Sequence, residues 1–236
     1  MFGMYGFYWD PTYILVIIGA VICMIASSHV NSTYRIYQQV RSNSGLTGAQ
    51  TAERIVRAYG LNGVTVRHVS GNLTDHYNPS DKTLNLSDAV YASASVAAIA
   101  VAAHECGHAI QHQKGYVPLR MRGALVPVAN FGSTIAWPMI LIGLFINSRS
   151  GMLLIQAGIL CFSLAVLFQL VTLPVEFDAS RRALHVIEDL GIVGHEEMKL
   201  SRKVLVAAAL TYVAGAASAI LQLLRLILLF GGRDDD

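Results

Sequence analysis

The chain has 236 residues, of which 54% are hydrophobic and only 14% charged, whereas soluble domains carry about 25% charged residues. That balance excludes an ordinary soluble globule, and the length suits one compact membrane unit rather than several. A formal net charge of +2 gives no sign of a nucleic-acid-binding surface.

The first long apolar run is TYILVIIGAVICMIASS, Thr12 to Ser28. It has no basic stretch before it and no small-residue cleavage site after it, so it is expected to be a retained membrane anchor rather than a signal peptide. A polar region follows, from His29 to Gly123. Within it, LTGAQTAERIVRAYG has a cap signal at Thr47 and apolar residues at Ala52, Ile55, Val56 and Tyr59, a helical period. Gly60 and the Asn62-Gly63 pair end it. VTVRHVS, Val64 to Ser70, and Thr83 to Leu86 alternate like strands, with a turn at Pro79-Ser80-Asp81 between them. A small sheet of two or three strands is expected. The strand at Leu84 to Leu86, lying just before the helix that follows, is expected to offer its edge to an extended peptide. From a cap at Ser87 or Asp88 to Gly115, the chain reads as one long alanine-rich helix.

Three further apolar runs are long enough to span a bilayer: Ala124 to Ile146, Met152 to Pro174 and Leu205 to Leu224. Pro127 and Pro138 are tolerable in a membrane helix. Between the last two runs, VEFDASRRALHVIEDLGIVGHEEMKLSRK has a helical period that breaks near Gly191 and restarts around His195. Small residues at Ala207 to Ala209 and at 214–219 favour close helix packing, within the chain or between copies. Asp234 to Asp236 read as a solvated tail.

Positive charges near the runs fall on one side. Arg35 and Arg41 follow the first, Lys114, Arg120 and Arg122 precede the second, and Arg181, Arg182, Lys199, Arg202 and Lys203 lie between the third and fourth. The short loop between the second and third has only Arg149. The positive-inside rule then places residues 29–123 and 175–204 in the cytoplasm. The expected organisation is an N-terminal segment and first span (1–28), a catalytic region (29–123), two spans (124–174), a helical segment (175–204), and a fourth span with a tail (205–236).

The chemistry is concentrated in HECGHAIQH, His104 to His112. His104-Glu105-Cys106-Gly107-His108 is an HExxH motif. Residues four apart on a helix lie about 40° apart on one face, so both imidazoles can reach one ion. Glu105, at the next position, can take a proton from a zinc-activated water and give it to the leaving amine. His112 continues the spacing but lies about 12 Å along the axis from His104, so it reads as a polar helix-end residue. The third ligand is sought in LPVEFDASRRA, where Glu176 is the better candidate and Asp178 its rival. Two spans separate Glu176 from the motif, which returns it to the same side. On a helix, 176 and 178 point about 200° apart, so one of them at most can face the ion. The three cysteines, Cys23, Cys106 and Cys161, include no CxxC pair and read as buried hydrophobes.

HECGHAIQHQKGYVPLR, LTDHYNPSDKTLNLS and FQLVTLPVEFDASRRAL resemble the YugP-type neutral zinc metallopeptidases of bacterial membranes, over nearly the whole chain. More remotely, HExxH followed by two spans and an E-aromatic-x-A stretch is similar to the HtpX and CAAX-prenyl-protease group. The resemblance implies zinc held by His104, His108 and Glu176, with Glu105 as general base. The wider group usually carries an aspartate where this chain has Ser180, which leaves open how the third ligand is oriented, with Asp178 and Arg181 as candidates to share that task.

The sequence thus predicts an α-helical integral membrane protein with four transmembrane helices and a small α+β gluzincin-type cytoplasmic catalytic domain. It predicts one catalytic zinc ion, a peptide or protein substrate, multi-pass residence in the bacterial inner membrane, and no nucleic-acid partner. His76, Tyr77, Asn130 and His185 are the candidates for stabilising the oxyanion. The alternatives are an intramembrane protease, which lacks here the later Asp-Gly pair, and a metal-binding scaffold without hydrolytic activity.

Overall fold

The computed structural model describes residues 10–146 and 148–231; the Asp234 to Asp236 tail lies outside them. Seven helices and three strands are found among the described residues: α1 (Tyr13–Tyr37), α2 (Gly48–Ala58), β1 (Thr65–His68), β2 (His76–Asn78), β3 (Thr83–Leu86), α3 (Asp88–Tyr91), α4 (Val96–Gln113), α5 (Val117–Phe145), α6 (Arg149–Asp189) and α7 (His195–Phe230). Four of them, α1, α5, α6 and α7, are long and apolar enough to cross a membrane. The chain is therefore mostly helical, with a small sheet.

The chain divides into two compact units. One comprises residues 1–25, 124–170 and 213–236. Its described part is built from apolar helical segments whose large side chains are widely exposed, among them Met24, Phe131, Leu141, Phe145, Leu160 and Leu228. Small residues set its internal approaches. A Cβ at Gly132 would stand 2.7 Å from the Cys161 carbonyl oxygen, and one at Gly158 would stand 2.9 Å from that of Ala136. Asp10 pairs with Arg225 at 3.3 Å, and the guanidinium stacks over the Tyr13 ring.

The other unit comprises residues 26–123 and 171–212. Its core gathers Ile55 of α2, Leu84 and Leu86 of β3, Val90 of α3, Ile99 and Ile110 of α4, and Ile187 of α6, all fully or nearly fully buried. The start of α2 is a capping box: the Thr47 hydroxyl accepts from the Gln50 amide, and the Gln50 side chain accepts from the Thr47 amide. That helix packs on β1 and α4. Gly48 is required there, because a Cβ would stand 2.4 Å from the Val90 carbonyl oxygen.

Two expectations are corrected. The sheet order is β1-β3-β2, with β3 parallel to β1 and antiparallel to β2. The strand at Leu84 to Leu86 is thus the central one. Its edges are both paired and all four of its residues are buried, so it has no free edge to offer a peptide. Nor is the alanine-rich stretch one helix. It breaks between α3 and α4, at 92–95, and Ser95 caps α4 by accepting from the Ala98 amide. Helix propensity is overridden there by long-range backbone bonds. The Ser42 amide donates to Ala94, that of Gly48 to Ser93, and that of Val96 to Val40. The helix α6 continues through Pro174 to Asp189, and α7 restarts at His195 beyond the break at Gly191.

α4 and α6 meet with almost no space between them. A Cβ on Gly107 would stand 2.5 Å from the Ala179 carbonyl oxygen, closer than real contacts allow. Replacing Gly107 by alanine is expected to push the helices apart and to destabilise the fold by about 1–3 kcal/mol, the usual cost of overpacking. The loss should appear as a lower thermal midpoint of the detergent-solubilised protein, together with reduced bound zinc.

Candidate metal centre

The second turn of α4 from its C-terminal end presents His104 and His108 side by side, with ring centroids 4.7 Å apart. α6 brings Glu176 against them. Its Oε2 lies 3.2 Å from His104 Nε2 and 3.6 Å from His108 Nε2. One ligand atom from each of the three residues lies within 4.8 Å of the others. Ligands about 2.0–2.1 Å from a tetrahedral zinc ion stand about 3.4 Å from each other. The spacing of this donor set therefore fits such an ion, and two imidazoles with one carboxylate are ligand types zinc accepts.

Each histidine has a fixed partner for its far nitrogen, which turns Nε2 toward Glu176. His104 Nδ1 is 3.2 Å from Ser180 Oγ, and His108 Nδ1 is 3.1 Å from Gln111 Oε1. Such contacts set ring orientation and tautomer in metal sites. Gln111 is fully buried and is itself held, its amide donating to the Val175 carbonyl and to Asp178 Oδ2. Asp178 also accepts from Arg181 and Arg182. It supports Gln111 from behind, and it is Glu176 that faces the histidines. The Ser180 hydroxyl meets the His104 imidazole directly.

Glu176 is 2% exposed. Its Oε1 accepts from the Arg122 guanidinium at 2.9 Å, which leaves Oε2 for the histidines. The Tyr212 phenol stands close enough to the same carboxylate to feel its charge. Glu105 is buried, and its Oε2 accepts from the Tyr77 amide of β2 at 2.9 Å. Burial lowers the pKa of His108, but its contact with Glu176 and the charges of Glu105 and Glu176 outweigh this and raise it above the ordinary value. Burial pushes the Cys106 thiol well above its usual range, which removes it as a ligand or nucleophile.

Of the other residues the sequence singled out, His112 lies away from this cluster, with Nδ1 2.8 Å from the Tyr77 hydroxyl. His76 is engaged with the Thr74 carbonyl and with Asn85, and His185 pairs with Asp189. Asn130 is an exposed residue of the other compact unit. Arg122, Gln111 and Tyr212 were not foreseen. Only Gln111 had a local signal, its position one turn beyond His108 on the same helix.

The profile of a family described as "putative neutral zinc metallopeptidase" matches residues 12–231. The chain belongs to this family of zinc metallopeptidases. A protein of Bacillus subtilis (strain 168) named "putative membrane protease YugP" is 46% identical over 212 residues, which cover 89% of this chain and 93% of that protein. No solved structure matches the chain. Membership in the zinc metallopeptidase family agrees with the donor set.

Two outcomes test the centre. Glu176→Ala should abolish stoichiometric zinc binding, whereas Asp178→Ala and Gln111→Leu should weaken it by about 10–100-fold, the usual effect of losing an outer partner. Metal analysis with competing chelators measures both. Zinc must displace a proton held unusually tightly at His108, so zinc uptake should release protons. Affinity should fall as pH drops through the range just above the ordinary histidine value of about 6.5, as calorimetry in buffers of different ionisation enthalpy would show.

Proposed function

We propose that this chain is a membrane-embedded zinc endopeptidase of gluzincin type, with His104, His108 and Glu176 as ligands and Glu105 as general base. The observation that carries the reading is the convergence of His104, His108 and Glu176 at ligand spacing, with Glu105 adjacent and held by a backbone donor. A bound zinc ion would supply a Lewis acid that polarises a scissile carbonyl and acidifies a water. Glu105 removes a proton from the attacking water and delivers it to the departing amine nitrogen. Arg122 fixes Glu176 by donating to its Oε1, and Tyr212 stands near the same carboxylate. Ser180 and Gln111 keep the imidazoles turned to the ion.

The same reading makes α1, α5, α6 and α7 transmembrane helices of the bacterial cell membrane. Residues 29–123 and 175–204 would form a cytoplasmic catalytic domain, with 1–28, 124–174 and 205–236 carrying the spans. The wide exposure of apolar side chains on these helices supports immersion in lipid, and the charge asymmetry supports the orientation. The substrate is then a peptide or protein, reached from the cytoplasmic side.

Glu105→Gln should keep one zinc per chain and reduce cleavage of an unstructured peptide by roughly 10²–10⁴-fold, the usual worth of a general base. Retention of cleavage by that variant would sink the reading. For orientation, a cysteine at Ser148 in a chain lacking its native thiols should react with a membrane-impermeant maleimide in intact cells. A cysteine at Lys199 should react only after the cells are opened. The reverse pattern would invert the proposed topology.

A further inference from the structure

His112 extends the histidine spacing of the motif, yet its ring turns to β2 rather than to the metal ligands. β2 is only three residues long and is paired on one side alone, His76 with Asn85, Tyr77 with Leu84 and Asn78 with Thr83. A short edge strand of this kind is weakly anchored by its own ladder. Yet the amide on its open side, that of Tyr77, is the donor that holds Glu105 Oε2 at 2.9 Å. The side chain of the same tyrosine reaches back to α4, where its hydroxyl lies 2.8 Å from His112 Nδ1. Glu105 and His112 are seven residues apart, so they stand on one face of α4, about 10 Å from each other along its axis. Tyr77 therefore grips a single helix face at two points, by its main chain at Glu105 and by its phenol at His112. A cavity of about 310 Å³, lined by Leu61, Val64, Tyr77, Lys82 and His112 among others, opens beside the pair. The Tyr77 ring packs partly on the core and against the His112 ring, and the hydrogen bond fixes its hydroxyl end. The bond survives either protonation state of the imidazole, because a phenol hydroxyl both donates and accepts.

We propose that the Tyr77–His112 pair is a positioning device for the general base, fixing β2 so that the Tyr77 amide holds the Glu105 carboxylate at its working place. This inference rests on the reading of Glu105 as the base. Neither Tyr77 nor His112 touches the reacting atoms; both act through the carboxylate. His112 is a clamp, not a fourth ligand.

The test uses the full-length, zinc-loaded protein in detergent, with Tyr77→Phe, His112→Ala, His112→Asn and the Tyr77→Phe/His112→Ala double variant. Zinc content, kcat and KM on an unstructured peptide, and hydrogen exchange of the His76–Asn78 amides are measured for each. Tyr77→Phe and His112→Ala should each lower kcat by roughly ten-fold or more, as small misplacements of catalytic groups do. KM should stay within about two-fold and zinc at one per chain, since the pair orients a proton acceptor rather than binding substrate. Amide exchange in β2 should speed up in both, and the double variant should be no worse than either single one, as expected for two halves of one contact. His112→Asn, whose side-chain amide can meet the Tyr77 hydroxyl as acceptor or as donor, should recover most of kcat. Loss of zinc in His112→Ala would show a ligand instead of a clamp. Unchanged kcat and exchange in Tyr77→Phe, or additive losses in the double variant, would also overturn the proposal. Glu105→Gln separates the two levels. If it retains cleavage, the base reading fails and this inference with it; if it abolishes cleavage while the clamp variants match wild type, only the inference fails.

Discussion

The burial of one carboxylate organises the centre. Glu176 is 2% exposed, and an ionised group taken out of water without partners costs several kcal/mol. Its compensating partners are Arg122 at Oε1 and two imidazoles at Oε2. Because Arg122 occupies Oε1, the other oxygen is left facing the histidines. Its position requires α6 to lie hard against α4, and so depends on Gly107 accepting the Ala179 carbonyl at its bare Cα.

A second layer keeps that arrangement rigid. Gln111 joins His108 to Asp178 and to the main chain at Val175, so a single buried amide ties the motif helix to the helix that carries Glu176. Asp178 is charged and close, but its oxygens are spent on Gln111, Arg181 and Arg182. Two acidic residues separated by one position thus have unlike tasks, as their opposite bearings on the helix require. The Ser180 hydroxyl steadies His104 and adds no further negative charge to a pocket that already contains two carboxylates.

What could be read in the sequence was local. The four-residue histidine spacing, the Thr47 cap, the two alternating strands and the stop at Gly191 all depend on neighbours in the chain, and they lie where they were expected. What could not be read depends on distant partners. The interruption at 92–95 arises because backbone groups from Val40 to Gly48 bond to it, and nothing in an alanine-rich run announces that. The central place of β3 follows from β1 pairing across an intervening strand, an order alternation cannot reveal. Arg122 and Tyr212 stand 54 and 36 residues from Glu176 in the chain and carry no pattern linking them to it. That Glu176 and Asp178 could not both face the histidines was legible as a geometric exclusion, because a helix cannot aim both at one point; which of them does so was not.

Gly107 also changes how the motif itself should be understood. Written as HExxH, the pattern leaves two letters free. In this fold neither is free. Cys106 is sealed in the core with its sulfur 3.9 Å from the Ala52 carbonyl, and position 107 has no volume for any side chain. The string that specifies the centre is closer to His-Glu-small-Gly-His, read together with a helix whose backbone passes against the glycine three places after the Glu176 carboxylate. A pattern search with that longer phrase would discard most chance occurrences of the five-letter one, and it would do so on steric grounds that can be checked in any chain with this helix pair.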